Sequence, residues 1–123
     1  MSALELLRWQ WNGYPRYHHS RTNLLIHIVV VPLFWTGNVG LVVALVERSA
    51  LSGILALGAM LVSVALQGHG HRQEKVPPEP FTSATNKVSR IFLEQWVSFP
   101  RFVVSGGWFR ALRQSSRSRD GGP

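Results

Sequence analysis

Leu24–Val46 reads LLIHIVVVPLFWTGNVGLVVALV. At 1.5 Å per residue, about 23 helical residues span roughly 34 Å, enough to cross a hydrocarbon core of about 30 Å. Pro32, Gly37 and Gly40 would oppose a helix in water. In a bilayer they are tolerated, because neighbouring groups re-satisfy the freed backbone. Glu47-Arg48-Ser49 follows as a polar turn, and then ALSGILALGAMLVSVAL from Ala50 to Leu66. This second run is near the lower limit for a span and reaches further with Gln67 to Gly70. A turn this short makes the two helices antiparallel neighbours. The start of the first and the end of the second then share one face of the membrane. Gly53, Ala56, Gly58 and Ala59 are small enough to let two helices approach closely.

The rest of the chain agrees with this hairpin. No Asp, Glu, Lys or Arg occurs between Arg21 and Glu47, or between Arg48 and Arg72. Charged residues make up only 15% of the 123, against 46% hydrophobic; an ordinary soluble domain carries roughly 25% charged residues. The formal net charge is +7. Arg8, Arg16, Arg21, Arg72 and Lys75 all fall on the face shared by the two run ends. The positive-inside rule puts that face, and both termini, in the cytoplasm, as for an integral protein of a bacterial inner membrane. No nucleic-acid-binding motif accompanies the basic charge, so nucleic acid is not an expected partner. With no cysteine, disulfides and thiolate metal sites are excluded.

Ser2–Trp11 reads as a short amphipathic helix, with Ser2 and Glu5 in capping-box register. Asn12-Gly13-Tyr14-Pro15 should break it. Trp9, Trp11, Tyr14 and Tyr17 form an expected interfacial belt. After the stiff Pro77-Pro78-Glu79-Pro80, Thr82 or Ser83 can cap a further amphipathic helix running to about Phe99, where Pro100 interrupts it. The expected architecture is therefore all-α. A transmembrane hairpin, about 22–46 and 50–70, is flanked by N- and C-terminal amphipathic interfacial helices. Residues 1–113 form a single membrane domain and 114–123 a disordered basic tail.

All five histidines lie near the hairpin's open end. His18 and His19 precede the first run, His27 lies inside it, and His69 and His71 close the second. Asn23 and His27 share a helix face. Polar residues within a membrane segment usually face the protein interior and mark function, and neutral imidazole is the commonest metal ligand. His19 alone reads as an interfacial polar residue. His18, His27, His69 and His71 are the candidate metal ligands. An all-nitrogen set with a carboxylate such as Glu74 suits iron, zinc or copper. Other readings stay open at this point: a metal-free membrane protein that binds lipid or a partner, a bis-His haem protein, or a soluble helical protein with a buried hairpin. No oligomeric state follows.

Tyr17-His18, Asn23 and His27, followed by Pro32, give Y-H-x4-N-x3-H. This resembles the first motif of the yeast 2-hydroxypalmitate dioxygenase-like membrane proteins. Gln67, Gly70-His71, Glu74 and Pro77 or Pro78 resemble the second motif, and the doubled Gly-His leaves His69 and His71 both matching it. Phe92-Leu93-Glu94-Gln95-Trp96 and Phe99-Pro100-Arg101-Phe102 look like a bacterial branch of that family. The resemblance covers roughly residues 10 to 112. It implies an Fe(II)-dependent dioxygenase that uses O2 to shorten 2-hydroxy fatty acids by one carbon at a lipid bilayer; on the donor set alone zinc stays the alternative metal. It further implies that His18, His27 and His71 hold the iron, accompanied by Asn23 and Glu74. The expected catalytic residues are His18, His27, His71 and Glu74; Asn23, Arg21 and Arg72 are expected at the substrate, the arginines pairing with its carboxylate.

Overall fold

The computed structural model describes residues 1–118, with side chains through Ser115. Among these the chain is all helical. The elements are α1 (Ala3–Tyr17), α2 (Arg21–Glu47), α3 (Ala50–His71), α4 (Ala84–Leu93), a π turn (Glu94–Ser98), α5 (Phe99–Val104) and α6 (Gly107–Ser118). The hairpin forms as its sequence requires. Ser20 and Ser49 cap α2 and α3 by accepting from the Asn23 and Ser52 amides. Arg48 turns the chain in the left-handed conformation.

Both hairpin helices are long and apolar enough to cross a membrane, with mean hydropathy 2.1 in α2 and 2.0 in α3. Only 28% and 17% of those apolar windows is buried, whereas the core helix of a water-soluble fold would be mostly covered. Val29, Leu45, Val46, Leu51, Ile54 and Leu61 each expose two thirds or more of their surface. Water would penalise such a contiguous apolar surface; lipid would not.

Small residues set the crossing. A Cβ on Gly37 would lie 2.6 Å from Met60 Cγ and 2.8 Å from the Ala56 carbonyl, so only glycine permits this approach. One buried polar chain also bridges the hairpin. Ser63 donates to the Val30 carbonyl, and Gln67 donates to Ser63 Oγ at 3.0 Å.

Two expected helix ends move. α1 does not stop at Trp11 but runs through Gly13 and Pro15 to Tyr17. Gly and interior Pro cost roughly 1 and 3 kcal/mol in an isolated helix. Here tertiary packing offsets that cost, because Tyr14, which was expected in an interfacial belt, is 3% exposed in the core with Leu24, Phe99, Phe102 and Trp108. Nor does Pro100 end the C-terminal helix. The chain widens into the π turn, where the Phe99 amide donates to the Glu94 carbonyl. Pro100 has no N–H with which to reach the Gln95 carbonyl one π register back. The Trp35 indole supplies that donor at 2.7 Å.

The C-terminal helices thus pack back on α1 and α2. Trp108 donates to the Leu24 carbonyl at 2.9 Å, and Gln10 donates to the Arg90 carbonyl at 2.8 Å. α6 continues to Ser118 and buries Ser115, so helix extends beyond residue 113, where the ordered domain was expected to end. Residues 119–123 of the expected tail lie outside the described residues.

Gly37→Ala should lower the stability of the detergent-solubilised protein by about 1–3 kcal/mol. Gly58→Ala, where a Cβ meets nothing within 4 Å, should be neutral or raise it by up to roughly 1 kcal/mol. Thermal midpoints of the two variants in one detergent provide the check.

Candidate metal centre

Four side chains from four elements meet at the open end of the hairpin. His18 stands at the C-cap of α1, His27 on the second turn of α2, His71 at the last residue of α3 and Glu94 at the first residue of the π turn. Each offers one ligand atom, and all four atoms lie within 4.8 Å of one another. Metal–nitrogen bonds of about 2.1 Å put opposite donors about 4.2 Å apart. The most widely separated pair would need to draw in by about 0.6 Å at most to sit opposite each other on one ion. The three imidazole rings stand at 80° to 89° to one another, with centroids 4.8 to 5.0 Å apart.

The hydrogen bonds fix which nitrogens are available. His18 Nδ1 donates to the Tyr14 carbonyl at 2.9 Å, and His27 Nδ1 donates to the Asn23 carbonyl at 3.0 Å. A carbonyl can only accept, so each Nδ1 carries the proton, and a neutral ring presents its Nε2 lone pair inward. His18 Nε2 then lies 3.0 Å from Glu94 Oε2, and His27 Nε2 lies 3.8 Å from the same oxygen. Between a lone pair and a carboxylate oxygen a positive species is required, either a proton or a metal ion.

Two buried nitrogens, His27 Nε2 and His71 Nδ1, have no hydrogen-bond partner at all. Three histidines merely packed edge to face would leave those atoms unsatisfied, at about 1–3 kcal/mol each. One ion satisfies both. The donors therefore fit a transition metal.

Tyr14 completes the shell. Its ring stacks on His18 at 3.8 Å and 5°, and its hydroxyl donates to Glu94 Oε2 at 2.9 Å. Burial raises the Tyr14 hydroxyl above its ordinary pKa, and the adjacent Glu94 charge adds to this, so it remains a donor. Burial also acts to raise the Glu94 carboxyl. The His18 hydrogen bond and the pull of the three imidazoles outweigh it, and hold the carboxyl well below the usual range. Glu94 is thus an anion, as a ligand must be.

Not every residue singled out from the sequence is here. His18, His27 and His71 converge. His69 does not: it is exposed on α3, two residues before His71, where helical geometry turns it away. Glu74 is not in the cluster either. Its carboxylate accepts from the His19 and Ser20 amides at 3.0 to 3.2 Å and from Asn23 Nδ2 at 2.8 Å. It clasps the α1–α2 junction to the end of α3, and His19 Nδ1 lies 3.3 Å from it. Asn23 is 0% exposed and serves the same clasp, lying against Gly70, where a Cβ would overlap its side chain. Arg21 reaches the Leu112 carbonyl at 3.5 Å and does not line the cavity described below. In this fold Asn23 and Arg21 thus make contacts between elements, and neither is among the cavity-lining residues.

Glu94, which lies in the amphipathic helix expected after Ser83, was not among the candidate ligands read from the sequence. The usable signal was a single carboxylate inside Ile91-Phe92-Leu93-Glu94-Gln95-Trp96-Val97, an otherwise apolar stretch apart from Gln95. The sequence reading also missed the reciprocal amide pair of Gln67 and Gln95, 2.8 Å in both directions.

An open cavity of ≈ 1020 Å³ adjoins the cluster. His18, His71 and Glu94 line it, and His27 lies behind them. Its outer rim carries Arg16, Arg72, Lys87 and Arg90. Arg90 also pins the proline-rich segment over the cavity. It donates to the Glu79 and Pro80 carbonyls at 2.7 and 3.0 Å, and stacks on Phe81 and Trp9 at 4.3 and 4.9 Å.

Comparison with family models, with curated proteins and with solved structures finds no match to this chain.

Elemental analysis of protein purified anaerobically tests the ligand set. His27→Ala and Glu94→Ala should lose bound metal, while His69→Ala should keep the wild-type content. Tyr14→Phe, which removes only the outer hydrogen bond, should weaken metal affinity by about 10–100-fold. Equal metal in all four variants would contradict the assignment.

Proposed function

We propose that this chain is an Fe(II)-dependent membrane dioxygenase that shortens 2-hydroxy fatty acids by one carbon. The observation that carries the reading is the convergence of His18, His27, His71 and Glu94 on one point, with two buried nitrogens otherwise unpaired, beside a cavity at the end of two apolar helices. Imidazole with a carboxylate and room for further ligands is a donor set suited to Fe(II) and oxygen chemistry. The order Tyr17-His18, Asn23, His27, Gln67, Gly70-His71 supports the family reading, and through it the substrate.

The overall reaction balances without an added reductant: R–CH(OH)–COOH + O2 → R–COOH + CO2 + H2O. The C1–C2 bond breaks, C2 becomes the new carboxyl, C1 leaves as CO2, and O2 accepts the electrons. Bound Fe(II) would supply the redox chemistry that lets O2 react with the acid.

The chain's own residues do the rest. Tyr14 and the Nδ1 hydrogen bonds hold His18, His27 and Glu94 in the orientation a bound ion needs. Arg72, on the cavity rim, pairs with the substrate carboxylate. The apolar surfaces of α2 and α3 keep the enzyme in the bilayer that holds its substrate. The basic flanks Arg8, Arg16, Arg72 and Lys75 favour a cytoplasmic site and cytoplasmic termini.

Purified protein loaded anaerobically with Fe(II) should, on exposure to O2, convert 2-hydroxypalmitate to the acid one carbon shorter. The zinc-loaded protein should not. Arg72→Ala should raise KM about tenfold, the worth of one charged hydrogen bond, with a smaller effect on kcat. Absence of turnover across all chain lengths would defeat the proposal.

A further inference from the structure

The cavity has a deep end that the metal cluster does not use. On α3 it is lined by Val64, Gln67, Gly68 and His71. These are spaced i, i+3, i+4 and i+7, a single helix face. From His71 the face descends about 4.5 Å to Gly68 and about 10 Å to Val64, at 1.5 Å per residue. Both residues lie within the span Ala50–His71, so the descent is toward the bilayer interior. Ile91 of α4 lines the cavity from across this face. The next residue on the face is Leu61, 71% exposed on the apolar surface of the hairpin.

The glycines of the hairpin separate into two kinds. Gly37 and Gly70 sit against neighbours that a Cβ would strike. Gly68 faces open space, with nothing within 4 Å of a Cβ built on it. It is therefore not required for packing, and what its missing side chain leaves is room in the cavity. The floor beside it is polar in composition but satisfied. Gln67 and Gln95 hold each other in two hydrogen bonds of 2.8 Å, and Gln67 also bonds Ser63. Most of their hydrogen-bonding groups are turned on each other, so an alkyl chain can lie along them at little polar cost.

We infer that the Gly68–Val64 face of α3, with Ile91 opposite and the Gln67–Gln95 pair beneath, is the slot for the substrate's alkyl tail, opening sideways to the bilayer. Gly68 is its specificity-determining position. The inference rests on the reading of the cluster as the site where the acid's head group reacts. The head lies at His18, His71 and Glu94, and the tail runs down the helix into lipid. A substrate can then be drawn laterally from the membrane without its tail crossing water.

Tail binding is separable from chemistry. Affinities of non-hydroxylated palmitate and propionate are measured by displacement of a fluorescent fatty acid from the purified protein, beside metal content. Gly68→Phe should weaken palmitate about tenfold or more, since each methylene left in water weakens binding roughly fourfold. Propionate, whose chain ends above Gly68, should change less than about twofold, and metal content should not change. Gly68→Ala should give a smaller shift in the same direction. Val64→Phe, deeper in the slot, should also discriminate against palmitate. Gly58→Phe, on open surface elsewhere on α3, should alter neither acid.

Equal losses for both acids, or no loss for either, would overturn the slot. A palmitate-selective loss in a protein that never turns over 2-hydroxypalmitate would uphold the slot and remove the proposed reaction instead.

Discussion

His18 and His27 each give their Nδ1 proton to a carbonyl one turn back along their own chain, those of Tyr14 and Asn23. This pair of bonds aims the rest of the site. A ring held by Nδ1 can offer only Nε2, and both Nε2 atoms face Glu94. The Tyr14 carbonyl is open to His18 because the His18 amide turns aside to Pro15 at the helix end. The same Tyr14 stacks on the ring it orients and steadies the carboxylate opposite. One residue thus sets the tautomer and plane of His18 and the position of Glu94 beside it.

The remaining architecture keeps distant parts of the chain in register with that point. Glu74 clasps the α1–α2 junction through two backbone amides and Asn23, fixing His18 and His27 relative to the end of α3 and so to His71. The π turn brings Glu94 and Gln95 inward together, with the Trp35 indole replacing the donor that Pro100 lacks. π turns recur at functional sites because they redirect side chains without ending a helix. Apolar packing within the chain is modest, as the exposure of α2 and α3 indicates. Polar bonds between elements carry much of the specificity, and in a bilayer that is the expected division.

Much of this was legible in the sequence. Charge-free runs of spanning length gave the hairpin, and its short turn forced His18, His27 and His71 to one end. Three residues misled for the same physical reason. Gly13 and Pro15 oppose a helix locally, and Pro100 opposes its continuation, but local propensity of about 1–3 kcal/mol yields to packing. Asn23 and Glu74 were legible as important and not as to role. Nothing in their spacing distinguishes a polar clasp from a ligand, and only the amides of His19 and Ser20 decide it. Glu94 was hidden because its helix reads as amphipathic. Which face of such a helix turns inward depends on partners, α1 and α2, that lie far away in sequence.

The central claim is that three imidazoles and one carboxylate hold a single ion, and X-ray absorption at the iron edge tests it most directly. Iron-loaded protein should show first-shell nitrogen and oxygen near 2.1 Å, with multiple scattering from three imidazole rings, reduced to two in His71→Ala. A spectrum with only oxygen neighbours, or one unchanged by removal of His71, would contradict the account.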